Sequence, residues 1–417
     1  MPSGETVDLN RECKMTTTVT LPSGTQLVPL SDQSYTFGNG DYAIFGGSWN
    51  IDARIKVGNG NDTYQGGDHN IETTVILGNG NDTFQGGMYD TDSHVTLGNG
   101  TDTFIGGNND TGSHITLGNG NDSYTGGSYN QNSVSILGNG NDTITGGDYG
   151  TDNSITIGNG NDTFTGGTND TGSHITFGNG NVTFHSGSYS TGTVLTFGNG
   201  NDTMIASTIG HNSDTTVIAG NGNDTLLAAP GTSLTDESSI TAGNGKDTVT
   251  LSANAEGPDQ GDSFGNISLG NGNDTVTVLG NYSTITVGNG HDTITSGGDS
   301  VITAGNGKDT INVGNNDTIT VGHGHDTFVF NQTAAAQVGA VTITGFNPHH
   351  DVIDITSAEA SALGLTGTQH QMDSELAALF HDTGSGGSAQ LQLDPTDTIT
   401  LTNVHAAALH ASDFHIV

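Results

Sequence analysis

Cysteine is almost missing from this 417-residue chain: Cys13 stands alone, so no disulfide can close within it and no thiol pair is available for zinc or redox chemistry. Basic residues are nearly as scarce. Six Lys and Arg face 44 Asp and Glu, a formal net charge of −38, which excludes nucleic acid and anionic membrane surfaces as partners. A compact chain this acidic repels itself unless cations sit inside or beside it, so cations are the first partner to seek. No run of eighteen apolar residues is present to span a membrane, and the opening MPSGETVDLNRECKMTTTVT lacks the apolar core of a cleavable signal peptide. Two starts stay open, Met1 or the Met15 that precedes the strand-like TTTVTL. Hydrophobic residues make up only 30%, a level that suggests disorder when they are scattered; here they recur at fixed intervals.

What the chain has in abundance is a repeat. Gly-Asn-Gly begins at Gly38, Gly58, Gly78, Gly98, Gly118, Gly138, Gly158, Gly178 and Gly198, a period of twenty without a slip. Further copies start at Gly220, Gly243, Gly270, Gly288 and Gly305, with Gly-His-Gly at Gly322. Before each turn lies an alternating segment, as in His114-Ile-Thr-Leu117, and after it an Asp-Thr-apolar segment. Three inward rows result: Val75, Val95, Ile115, Ile155, Ile175; Leu77, Leu97, Leu117, Ile157, Phe177; and Tyr64, Phe84, Phe104, Tyr124, Ile144, Phe164, Phe184. One repeat cannot bury three or four apolar side chains by itself, whereas stacked repeats make a continuous core, so the chain is expected to be a solenoid. About fifteen coils at about 4.8 Å each give a rod on the order of 70 Å long.

The turn reads x-G-N-G-N-D-T-Φ-x, as in Leu77 to Gln85 or Ala219 to Leu227. Paired glycines let carbonyl oxygens converge and the aspartate adds a charged oxygen, a donor set that suits calcium better than a transition metal. The nonapeptide resembles the G-G-x-G-x-D-x-U-x repeat of the repeats-in-toxin family, with the first Gly replaced by Leu, Ile, Val, Phe or Ala, over roughly residues 37 to 330. The resemblance implies an all-β, right-handed parallel β-roll or β-solenoid binding multiple calcium ions. Carried over position by position, it implies ligands at Asp62, Asp82, Asp102, Asp122, Asp142, Asp162, Asp202, Asp224, Asp247, Asp274, Asp292, Asp309 and Asp326. The adjoining carbonyls would come from Gly58, Gly60, Gly78, Gly80, Gly98, Gly100, Gly118, Gly120, Gly138, Gly140, Gly158 and Gly160. Two copies depart from the pattern: Asp41 arrives one position early, and Val182 replaces an aspartate, which weakens or abolishes that site. The eleven-residue partner half-coils lack the motif despite Asp90, Asp110, Asp152 and Asp170, so one strong ion column and one partial or absent column are expected. The competing reading is a metal-free solenoid whose tight corners carry Asn and Asp ladders. Unpaired aspartates stacked about 4.8 Å apart would repel one another, which favours the ion.

Other features weigh less. His94, His114 and His174 share one position, interrupted by Val134 and Ser154, and read as exposed strand residues rather than a metal ladder. Thr96, Thr116, Thr156, Thr176 and Thr196 form an outward row of the kind an ice-binding solenoid presents, broken by Lys56, Ile76 and Ile136. No Ser/His/Asp order or His-Glu metalloprotease helix is found, so no enzyme is expected. After Phe330 glycine falls, and helix-like stretches run over Ser357 to Leu363 and Asp373 to Phe380. VTITGFNPHHDVIDI and the ending DTITLTNVHAAALHASDFHIV resemble the C-terminal region of family members exported by type I secretion. The expected organisation is therefore residues 1–36 as an extension with an edge strand over Thr16 to Leu21, 37–330 as solenoid, and 331–417 as an α+β cap and export region. The expected protein is secreted, folds on extracellular calcium and serves as a structural component of a surface layer, fibre or biofilm matrix, with self-association and a cell-surface polysaccharide as partners. Trp49 and the lengthened stretch Ala253 to Phe264 are candidate lateral contacts. An adhesin or ice-binding module, or a polysaccharide-acting enzyme with converging carboxylates, are the competing classes.

Overall fold

The computed structural model describes residues 25–28, 33–206, 210–212, 214–228, 232–234, 238–251, 265–331, 338–383, 387–393 and 397–417; the edge strand expected over Thr16 to Leu21, Cys13 and Ala253 to Phe264 lie outside them. The chain forms two compact units, Met1–Thr163 and Phe164–Val417. Both are all-β parallel solenoids with very little helix.

In the first unit each twenty-residue coil contributes two strands of three or four residues. Thr103–Ile105 pairs in parallel with Thr83–Gln85 on one side and Ser123–Thr125 on the other. His114–Thr116 pairs likewise with His94–Thr96 and Val134–Ile136. Three residues suffice because only the middle one is buried: one side chain per strand enters the core and the flanking pair, His114 and Thr116 in one strand and Thr103 and Ile105 in the other, points outward. The register is residue to equivalent residue, so like stacks on like. Phe84 and Phe104 have ring centroids 5.1 Å apart and 2° from parallel, and Tyr64 and Tyr124 extend the same stack. Each such burial contributes roughly 1.5–3 kcal/mol. The predicted rows are buried with one exception: Ile155 is only half-buried, beside the short Ser135. Ser135 occupies a core position and bonds the hydroxyl of buried Tyr124 at 2.9 Å. Coil-to-coil approach requires glycine at the turn; a Cβ on Gly80 would lie 1.6 Å from the Gly60 carbonyl oxygen.

In the second unit coil length varies, yet pairing holds, as between Thr203–Ala206 and Thr225–Ala228. Thr275–Asn281 pairs with Thr293–Gly298 across an irregularity between Val278 and Asn281. The ladders run on past Phe330: Thr318–Thr320 pairs with Ala340–Thr344, and Thr327–Phe330 with Val352–Ile355. They close on Thr398–Thr402 and Phe414–Ile416. Thr398–Thr402 then pairs antiparallel with Ser388–Gln392, and that strand with His381–Thr383, which ends the parallel pattern. Helices at Ser357–Ala362 and Gln369–Leu379 lie close to the expected stretches; the first is held by a capping box between Thr356 and Glu359. Leu376, Phe380 and Phe414 form the apolar heart of this cap. Among the described residues no helix is long and apolar enough to cross a membrane.

Candidate cation column in the Gly-Asn-Gly turns

Stacking of the turns follows from backbone groups. The first glycine of a turn donates its N–H to the first-glycine carbonyl one coil back, as Gly118 to Gly98 and Gly138 to Gly118, both at 3.0 Å. The second donates to the asparagine carbonyl one coil ahead, as Gly80 to Asn99 at 3.0 Å and Gly120 to Asn139 at 2.9 Å. At Gly58, Gly60, Gly78, Gly80, Gly98, Gly100, Gly118, Gly120, Gly138, Gly140, Gly158 and Gly160 a Cβ would fall within 1.4–2.7 Å of a glycine carbonyl oxygen one coil back. Those glycines therefore permit the approach that lets carbonyls line up. The intervening asparagines form an exposed ladder, in which Asn99 Oδ1 accepts from the backbone N–H and the side-chain amide of Asn119 at 3.1 and 3.0 Å. The competing sequence reading anticipated such ladders.

The aspartates lie one step inward. All thirteen expected ligands are buried, none more than 7% exposed. They are joined head to tail: Asp82 N–H donates to Asp102 Oδ1, Asp102 to Asp122 and Asp122 to Asp142, at 2.8–2.9 Å. In the second unit the same chain runs from Asp202 through Asp224, Asp247, Asp274, Asp292 and Asp309 to Asp326. Each Oδ1 is thus satisfied. The other oxygen is not: Oδ2 is buried without a hydrogen-bond partner in Asp62, Asp82, Asp102, Asp122, Asp142, Asp202, Asp224, Asp247, Asp274, Asp292, Asp309 and Asp326. A buried acceptor left unpaired costs about 1–3 kcal/mol, and more when charged. Asp202, Asp224 and Asp247 border a cavity of about 20 Å³, enough for one water-sized particle.

Electrostatics agree with the geometry. Burial, and in most cases the neighbouring carboxylates, push Asp102, Asp142 and Asp309 up to about 7 against the opposing backbone N–H bond. Burial likewise raises Asp82, Asp202, Asp224, Asp247, Asp274 and Asp326 to about 6. Asp62, Asp122, Asp162 and Asp292 are raised for the same first reason. Such a column at neutral pH attracts either protons or a cation. An unpaired carboxylate oxygen that recurs from coil to coil is a hard oxygen donor of the kind that fits calcium. Among the described residues no three acidic, histidine or cysteine side chains converge on one point.

The departures from the motif behave differently from one another. Asp41 heads a second exposed ladder, formed by the residue after the second glycine, accepting from Asn61 N–H at 2.8 Å as Asn61 accepts from Asn81, while Tyr42 takes the aspartate's place and donates to Asp62 Oδ1 at 2.9 Å. Val182 is buried at 2% exposure and donates its backbone N–H to Asp202 Oδ1 but offers no carboxylate of its own, so the ladder of the second unit begins there. On the partner side of the first unit, Asn70, Asp90, Asp110 and Asn130 form a second, shorter buried ladder. Asp90 is pushed to about 6 and Asp110 to about 7, burial being the first cause, and the four residues line a cavity of about 40 Å³. Asp152 lies elsewhere, exposed at a left-handed corner with φ 51°. The sequence reading missed Asp317, which the Gly314-Asn-Asn-Asp317 turn encloses: Oδ1 accepts from Ser300 N–H at 3.0 Å and Ser296 Oγ at 3.3 Å, and Oδ2 from Gly314 N–H at 2.8 Å. The break in motif spacing at Gly314 was the available signal. His94 and His114 stack at 4.8 Å, each Nδ1 on a backbone carbonyl two residues back, a structural arrangement.

No protein-family model matches this chain, and no curated protein is found similar to it.

Proposed function

We propose that this chain is an extracellular, calcium-binding structural protein of the repeats-in-toxin type, whose turns take up calcium after type I export and so complete folding. The observation that carries this reading is the twelve buried, partnerless Oδ2 atoms, five in the first unit and seven in the second. In the cytosol, where calcium is scarce, mutual repulsion of those carboxylates keeps the chain open; outside, calcium neutralises them and binding becomes folding energy. With both units built as parallel solenoids, the function lies in the stacked coils: assembly into a surface layer, fibre or matrix. The antiparallel strands cover one edge of the second unit's ladder, so self-association would use surfaces other than that edge.

The decisive experiment is circular dichroism with light scattering on purified chain, titrated from chelator to millimolar calcium at pH 7.5. Gain of β signal followed by growth of large particles is the expected result. A signal already complete in chelator would sink the calcium reading in favour of a metal-free solenoid, the reading that the exposed asparagine ladder supports. Folding in calcium without particle growth would remove self-assembly and leave adhesion.

A further inference from the structure

Each partner turn of the first unit passes through two left-handed backbone positions. The second holds Asp52, Glu72, Asp92, Gly112, Asn132 and Asp152, all polar or glycine. The first holds Trp49, His69, Tyr89, Asn109, Tyr129 and Tyr149, at φ 59–64°. Asparagine is at ease there; a bulky side chain costs roughly 1–2 kcal/mol. Burial does not offset that cost, since Trp49 is 70% exposed and Tyr89, Tyr129 and Tyr149 are 47–51% exposed. Neither backbone preference nor core packing accounts for aromatic rings at this corner, and strain of this kind collects where a surface has a task.

The rings stack along the coil axis. Trp49 lies on His69 at 4.1 Å, His69 on Tyr89 at 5.0 Å, and Tyr129 on Tyr149 at 4.7 Å with planes 2° apart. The stack is interrupted once, at Asn109. Tyr89 has one face against His69 and Tyr129 one face against Tyr149, so their remaining faces look toward each other across the Asn109 coil. Two coil rises separate them, about 9.5 Å. A ring placed midway would sit about 4.7 Å from each, within the range at which rings pack face to face. The surroundings hold no basic side chain and are rich in hydrogen-bonding groups: Asn109 at the base, exposed Asn108 and Thr111 and half-buried Ser128 beside it, and the Asp92 carboxylate over Gly112 of the same turn.

We propose that this Tyr89–Asn109–Tyr129 slot binds one pyranose ring of a neutral polysaccharide, its two faces against the tyrosines and its hydroxyls on the asparagine amide. The ring's C–H faces match the tyrosine faces, and the absence of a basic side chain among the slot residues, together with a net charge of −38, disfavours an anionic polymer. The inference stands on the solenoid fold alone and does not depend on what occupies the aspartate column.

The test is affinity electrophoresis of the full chain, in millimolar calcium, through gels containing hydroxyethyl cellulose, galactomannan or dextran, with alginate as the anionic comparison. Retardation by at least one neutral polymer and not by alginate is expected. Asn109→Tyr fills the slot with the residue that its neighbours already carry at the same backbone angle, so it folds; it should weaken retention at least tenfold. Tyr129→Asn, which places an asparagine where the backbone favours one, should do the same. Tyr282→Asn, at a separate exposed corner of the second unit with φ 62°, should leave retention unchanged. Circular dichroism in the same buffer reports folding, so failure of the cation reading shows there and not in the gel. Retention by none of the neutral polymers, stronger retention by alginate, or an Asn109→Tyr chain retained as well as the parent would overturn the proposal.

Discussion

Within the second unit, Asp309 and Asp326 are as deeply buried as Asp317 and Asp351, none being more than 1% exposed, yet the two pairs are treated differently. Asp317 receives hydrogen bonds on both oxygens. So does Asp351, from Asp326 N–H at 2.9 Å and Asn347 N–H at 2.7 Å. Asp309 and Asp326 receive a backbone bond on Oδ1 alone and leave Oδ2 bare. The same fold, a few residues away, knows how to wrap backbone around a carboxylate. In the motif turns it does not, and Oδ2 stays buried without a partner on coil after coil. A closed turn uses its aspartate as an internal staple; in an open turn one carboxylate oxygen has no such use.

That contrast is easiest to break with pH, because it acts on a dozen carboxyls together. The open-turn aspartates have folded-state pKa values raised above the unfolded value near 4, so the native state holds more protons between about pH 4 and 7. In chelator, stability should therefore be highest below pH 4 and fall as pH rises through 7. Calcium requires bare oxygens and should flatten or reverse that slope. Denaturant midpoints at pH 5 and 8, with and without calcium, measure it; an identical slope in both would contradict the open-turn assignment. Next in size is Asp317→Ala, which strips two backbone N–H groups of a charged acceptor and should cost about 3 kcal/mol equally in calcium and in chelator. Asp309→Asn should behave oppositely. Its amide oxygen can still accept from Asp292 N–H, so stability in chelator holds, while the gain on adding calcium shrinks by about 1 kcal/mol. Smallest is Val182→Asp, which restores a carboxylate to an interrupted ladder: calorimetry should show added calcium uptake with little change in midpoint.

Much of this architecture was legible from the period alone. A row such as Tyr64, Phe84, Phe104 can be buried only by stacking, and the stack is there with rings about 5 Å apart. What the period could not reveal is anything decided between coils. That Asp Oδ1 binds the N–H of the equivalent residue one coil back, leaving Oδ2 bare, depends on the register across the turn and not on the motif itself. Ser135 in a core row is readable only once the Tyr124 hydroxyl is seen beside it. The aromatic corner was hidden for a different reason: Tyr89 and Tyr129 occupy left-handed positions that sequence preference assigns to Gly, Asn or Asp, so nothing marks them as corners. Asp317 escaped because its turn abandons Gly-Asn-Gly and encloses its carboxylate instead.

The head-to-tail aspartate bonds of the second unit span 22, 23, 27, 18, 17 and 17 residues in turn, yet each stays at 2.8–2.9 Å. Set against a chain of 417 residues, a separation near twenty is a relative contact order of about 0.05, below that of most helical bundles. A parallel β structure usually folds slowly because its partners are distant in the chain. Along the coils each partner is one coil away, so once a first pair has formed growth can proceed as a front that closes a short loop at each step; the closing strands reach further back, Thr398 to Ala340 and Phe414 to Ile353.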